Sequence, residues 1–175
     1  MVVIENKTNI KLNFEKPSIN IINENKELTI ISDLLTGICL ENKQKKNSNI
    51  INFFLTKKIP SISIYDFLER LVKYSKIEKS TLILILIYID KFCDMNNVNL
   101  TFYNIHKLIL SSLVIAAKYN EDKYLSNEFY AKIGGITKKE IDILEYQFLT
   151  LINFSLYIND EIYYKYEDFI QKEGE

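Results

Sequence analysis

Tryptophan is absent, histidine occurs once, and the 175 residues hold only two cysteines, two prolines and four glycines. Each shortage removes a class of chemistry. The single histidine, His106, sits in an apolar stretch and reads as a ring hydrogen-bonded in or near a core, not as a catalytic base. Cys39 and Cys93 are far apart, lack Cys-x-x-Cys spacing and lie in apolar runs, which marks them as buried thiols rather than metal ligands or a disulfide. Gly134-Gly135 is a turn signal, and no glycine-rich phosphate loop accompanies it. Carboxylates are plentiful, yet none falls into a recognisable acid–base pair. The formal net charge of −1 supplies no broad basic footprint for nucleic acid. The longest apolar run, Leu82–Ile89, is well short of the ~18 residues a membrane span needs. Met1–Ile4, followed by Glu5 and Asn6, lacks the basic start and apolar region of a secretory signal. These absences point to a soluble binding or regulatory protein that is not an enzyme and uses no metal or cofactor.

What the chain has instead is helix. Hydrophobic residues make up 47% and charged residues 26%, which with so little Gly and Pro describes an α-rich globular protein. The organising stretch is Asn104–Glu121, almost wholly apolar or small between Ile105 and Ala117. Apolar positions run right round the axis, so it is expected as a helix buried inside the domain. One polar stripe, Lys107, Ser111 and Lys118, returns to a single side at 100° per residue and should face solvent or a partner.

Around it the pattern predicts further helices. Residues 1–25 are polar and read as a loosely ordered tail, although Ile10, Leu12 and Phe14 alternate as in a strand. Lys26–Leu40 carries Leu28, Ile31, Leu34, Leu35 and Ile38 at helical spacing. Glu41–Asn49 reads as a solvated loop. Pro60 and the capping-box spacing Ser63-Ile-Tyr-Asp66 open a helix to about Tyr74. Thr81–Met95 has the β-branched content of a strand, but its uninterrupted length favours a core helix opened by Ser80. Ser126 caps a short helix, Asn127–Ile133, with Gly134 as its left-handed stop. Thr137-Lys-Lys-Glu140 caps a helix to about Leu151, and Asn159 or Asp160 starts the last, packing through Ile162, Tyr166, Phe169 and Ile170.

Two carboxylates fall where apolar side chains belong. Glu145 projects inside the arc of Ile141, Leu144, Phe148 and Ile152, and a carboxylate there is costly to bury without a partner. Lys118, at the end of the central helix, is the matching cation. Asp90 shares a side of its helix with Ile83 and Ile87, and Lys107 could answer it. Periodicity leaves two readings open: ion pairs that fix helix register, or charges at the rim of a docking surface.

The ordered series Pro60-Ser-Ile-Ser-Ile-Tyr-Asp-Phe-Leu-Glu-Arg, Ile87-Tyr-Ile-Asp-Lys-Phe, Asn104-Ile-His-Lys-Leu, Ala116-Ala-Lys-Tyr-Asn-Glu-Asp, Asn127-Glu-Phe-Tyr-Ala-Lys-Ile-Gly-Gly-Ile and Leu144-Glu-Tyr-Gln-Phe-Leu resembles the cyclin box. More narrowly it is similar to the P-type (plant U-type) cyclins, which include phosphate-signalling cyclins of fungi, over about Lys26 to Ile158. The resemblance implies an all-α fold: a five-helix cyclin box around a central buried helix, with flanking N- and C-terminal helices. It implies a cyclin-box domain over 26–158 and a C-terminal helix over 159–175. It also implies an activating subunit that forms a heterodimer with a cyclin-dependent protein kinase, in the nucleus and/or cytoplasm, without nucleic acid or membrane. Carried over by position, Lys118 and Glu145 match residues that hydrogen-bond kinase backbone. Asp90 and Lys107 match an internal salt bridge, with Lys107 standing where relatives often have Arg, so that a two-point bridge becomes a single-point one. Pro60–Phe67 lacks the Met-Arg-Ala-Ile-Leu pattern, with Phe67 in place of its Trp, so recruitment through Arg-x-Leu motifs is not implied. The alternatives are a cyclin-box scaffold that activates no kinase and a transcription-type adaptor.

Overall fold

The computed structural model describes residues 26–43, 45 and 49–173, so the expected tail over residues 1–25 lies outside the described residues. Seven α-helices and one 3-10 segment account for the described regular structure. They are α1 (Lys26–Glu41), the 3-10 helix Asn49–Phe54, α2 (Ile64–Ser75), α3 (Lys79–Asn96), α4 (Ile105–Asn120), α5 (Asn127–Gly134), α6 (Lys138–Leu151) and α7 (Asp160–Glu173). The fold is all-α, and no strand occurs among the described residues.

Composition decided the middle of the fold. Helix α4 buries every residue from Ile105 to Ala117 except Lys107. It packs against α2, α3, α5, α6 and the 3-10 segment, while α1 and α7 close over α2 and α3 from outside. The ambiguous run in α3 is helical, and Thr81–Asp90 is buried without a break. A helix that is apolar all round must be enclosed by other helices, and α3 and α4 enclose each other. Their seam ends in an aromatic cluster: Phe92 stacks on Phe148 at 4.7 Å, and Phe54 meets both edge-on at 5.0 and 6.1 Å. Both cysteines are buried and free, and burial raises the Cys39 thiol to about 12.

Local signals set most of the boundaries. Ser63, Ser126 and Thr137 each accept the backbone N–H three residues on, at the start of α2, α5 and α6. Helix α3 starts differently. It has no side-chain cap of its own, and Glu121, just past the end of α4, accepts from Glu78 N at 2.9 Å and Thr81 Oγ1 at 2.5 Å. A cap supplied from 40 residues away leaves no mark in local sequence. At the end of α5 the left-handed residue is Gly135 (φ 71°), not Gly134. Gly134 serves close packing instead: a Cβ there would lie 2.4 Å from Leu110 Cδ2 on α4. On α7 the inner face is Tyr166 and Ile170, with Tyr163 and Phe169 half-buried against the core, whereas Ile162 faces outward at 37% exposure.

Candidate functional site

Helices α4, α5 and α6 meet in a polar corner. Lys118 stands on the last turn of α4, where a cation opposes the negative end of the helix dipole. Its Nζ donates to both carboxylate oxygens of Glu145 on α6, at 2.6 and 2.8 Å. The pair is only half-hidden, with side-chain exposures of 30% for Lys118 and 16% for Glu145. Asn127, the first residue of α5, fixes the carboxylate from the other side. Its Nδ2 donates to Glu145 Oε2 at 2.7 Å and to Asp142 Oδ1 at 2.8 Å. Lys138 then holds Asp142 at 2.7 Å, and this bond, followed by that from Asn127, keeps the Asp142 carboxyl below its ordinary range. One chain of charge-assisted bonds thus links the three helices.

The inventory of donors and acceptors shows what the corner can still do. An ammonium has three N–H donors, and a carboxylate has about four lone-pair sites. Lys118 therefore retains donor capacity toward a carbonyl, and Glu145 retains acceptor capacity toward an N–H. Such a pair can bond the backbone of a docking segment without first breaking. Beside it, the outer face of α6 exposes Ile143 at 37% and Tyr146 at 62%, and Phe53 of the 3-10 segment is 50% exposed. Phe53, Ile143, Leu144, Lys107 and Glu140 line a cavity of about 280 Å³ at the edge of this face.

The other two expected residues part company. Asp90 is fully buried on α3 and accepts a hydrogen bond from the Tyr166 hydroxyl of α7. Lys107, in the first turn of α4, pairs with Glu140 of α6 at 2.8 Å and donates to the carbonyls of Phe53 (3.1 Å) and Leu55 (3.4 Å). The expected Asp90–Lys107 bridge is therefore not formed, and each residue is held by a different neighbour. Helical periodicity gives the side of an axis, not which neighbour lies there: Asp90 faces α7, and Lys107 faces the start of α6. Glu140, expected only to complete a capping box, turns its carboxylate to Lys107 instead of back to Thr137.

Sequence reasoning missed Asn127 and Asp142. Asn127 follows a good N-cap serine and looks like an ordinary first-turn residue, so nothing in its spacing signals a reach to α6. Ser111, counted in the polar stripe of α4, is buried and bonds back to the Lys107 carbonyl at 2.7 Å, which leaves Lys107 and Lys118 as the polar ends of that helix. His106 is 7% exposed; burial lowers its pKa, and its Nε2 donates to the Ile62 carbonyl at 3.0 Å.

Among the described residues there is no cluster of metal-binding side chains, and no helix is long and apolar enough to cross a membrane. Comparison with known proteins points one way. The Cyclin family model matches residues 8–156. Cyclin-U4-1 of Arabidopsis thaliana is 30% identical over 164 residues, covering 91% of this chain and 79% of its own length. Cyclin-U2-1 of the same plant is 29% identical over 151 residues, covering 83% and 68%. Cyclin-P3-1 of Oryza sativa subsp. japonica is 35% identical over 132 residues, covering 75% of this chain and 55% of the relative.

Proposed function

The chain belongs to the cyclin family, and from that premise we propose that it is the activating subunit of a cyclin-dependent protein serine/threonine kinase. Family membership gives it a cyclin-type regulatory role. The finer reading adds the partner and the face. The kinase docks on the α4–α6 side, with Lys118 and Glu145 bonding its backbone and the exposed Phe53, Ile143 and Tyr146 supplying apolar contact.

The observation that carries this reading is the half-open Lys118–Glu145 pair. A pair kept only to fix helix register needs no polar atoms at the surface, whereas this one is bonded by Asn127 and stays partly exposed. Rigid polar groups beside exposed aromatics form a docking rim at low entropic cost. Activation then follows from differential binding. The cyclin favours the kinase conformer whose mobile helix is turned inward, where the kinase's own Lys–Glu pair forms and its activation loop opens. Moving an inactive enzyme to mostly active requires roughly 5 kcal/mol of such preference. An interface of about 1,600 Å² supplies that amount when a few anchors are well packed.

The test is a pull-down from cell extract with the wild-type chain and the Lys118→Ala/Glu145→Ala double variant, followed by a protein kinase assay on the bound fraction. The expected result is a kinase retained by the wild type and lost by the folded double variant. Recovery of no kinase would leave a cyclin-box scaffold. Equal recovery by both proteins would move the docking surface elsewhere.

A further inference from the structure

The turn that follows α1 carries two exposed lysines, Lys43 and Lys45. Its backbone is held by Lys43 N donating to the Leu40 carbonyl at 3.3 Å and Lys45 N donating to the Asn42 carbonyl at 2.9 Å. Both lysines line a cavity of about 250 Å³, and Leu55, Thr56, Thr101 and Tyr103 form its other walls. Those walls are fixed by hydrogen bonds. Thr56 donates twice to the Tyr103 carbonyl, from its N–H at 2.8 Å and from its hydroxyl at 2.9 Å. Thr101 N donates to Asn104 Oδ1 at 2.9 Å, just before α4.

The cavity is rich in uncommitted donors. Among the described residues neither ammonium has an ion pair, and neither the Thr101 nor the Tyr103 hydroxyl has a hydrogen-bond partner. No carboxylate lines the cavity. Thr101 is 7% exposed, whereas Lys43, Lys45 and Tyr103 are exposed, so the charges stand at the mouth with a hydroxyl deeper in. An ammonium is a point charge with three donors and lacks the planar fork that grips a carboxylate at two points. A phosphoryl dianion answers two such charges and offers three oxygens to them and to the hydroxyls, whereas a carboxylate leaves one charge unanswered.

We propose that this cavity binds a phosphoryl group carried on a serine side chain of a partner protein. Lys43 and Lys45 are its counter-charges, the Thr101 and Tyr103 hydroxyls donate to it, and Leu55 takes an apolar part of the same segment. The volume is below that of sites for drug-sized ligands and suits one phosphorylated side chain. A nucleic acid needs a longer basic track than two lysines, and the chain as a whole has a net charge of −1. Lys118 and Glu145 line no part of this cavity, so the site is independent of kinase docking at the α4–α6 corner.

The test uses the full chain alone. Amide signals of Thr56, Thr101 and Tyr103 are followed by NMR during titration with Ac-Leu-pSer-Leu-NH2, its unphosphorylated parent, inorganic phosphate and an oligothymidylate of about ten nucleotides. The phosphopeptide should shift all three signals saturably with a Kd of about 1 mM or tighter, and the parent should bind at least about tenfold more weakly. Lys43→Ala/Lys45→Ala changes two exposed side chains and should weaken the phosphopeptide about tenfold, and Thr101→Val should weaken it about threefold. The lysine variant carries the test should Thr101→Val fail to fold. No saturable shift up to about 10 mM, equal binding of the parent, unchanged binding by the lysine variant, or tighter binding of inorganic phosphate or the oligonucleotide would each overturn the proposal.

Discussion

Asp90 and Glu145 are both carboxylates set in the apolar arc of a core helix, but they occupy different kinds of place. Asp90 is fully enclosed between α3 and α7 and accepts from the Tyr166 hydroxyl. Glu145 is held from behind by Asn127, faces Lys118, and keeps one side at the surface. Both obey the rule that a carboxylate in an apolar setting must be hydrogen-bonded. Only the second keeps part of its surface exposed. Pattern alone made them equivalent; enclosure separates a residue that holds the fold from one that is free to meet a partner.

That contrast can be broken most severely at the enclosed site. Asp90→Ala removes a buried acceptor that the Tyr166 hydroxyl uses, and it should lower unfolding free energy by about 3 kcal/mol. Urea denaturation measures this, and the Asp90→Ala/Tyr166→Phe double variant should lose less than the sum of the two single losses, because the two side chains share a hydrogen bond. At the open site the sign of the effect should move from folding to binding. Lys118→Ala/Glu145→Ala should alter stability by no more than about 1 kcal/mol, because the pair is partly solvated. Kinase affinity should fall by about 30-fold, or about 2 kcal/mol.

A smaller effect sharpens the comparison. Asn127→Ala deletes the clamp behind Glu145 and should cost about 1 kcal/mol in stability. It should weaken kinase binding less than the double variant does, since Lys118 and Glu145 remain. The smallest effect concerns His106. Burial lowers its pKa, so the unfolded chain binds the proton more readily, and the neutral ring contributes stability above its ordinary value of 6.5. That stability is lost as pH falls from 6.5 through the lowered folded value. The urea midpoint should therefore decline between pH 7 and pH 5, and less steeply in His106→Gln. An identical pH slope in the variant would assign the decline to carboxylates.

How much of this was legible in sequence depended on the range of the interaction. Helices and their caps are local, and Ser63, Ser126 and Thr137 announced them because each accepts an N–H three residues away. The central place of α4 was legible because a helix apolar all round has no solvent face to present. The Lys118–Glu145 contact was legible in part: each residue stood out against its own helix, and opposite charge suggested the match. Partners set by tertiary packing were not. Lys107 reaches Glu140 rather than Asp90, Asn127 crosses from α5 to α6, and Glu121 caps a helix 40 residues upstream. In each case periodicity gives the direction of a side chain, while the arrangement of helices decides what waits there.

The central claim is that the α4–α6 corner is a docking surface and not a register lock. It is tested most directly by measuring kinase affinity and urea midpoint side by side for Glu145→Ala and Asp90→Ala. The account predicts that Glu145→Ala loses kinase with its midpoint nearly unchanged, whereas Asp90→Ala loses stability and, at equal folded fraction, binds as the wild type does. A Glu145→Ala protein that unfolds, or that stays folded and binds with full affinity, would contradict it.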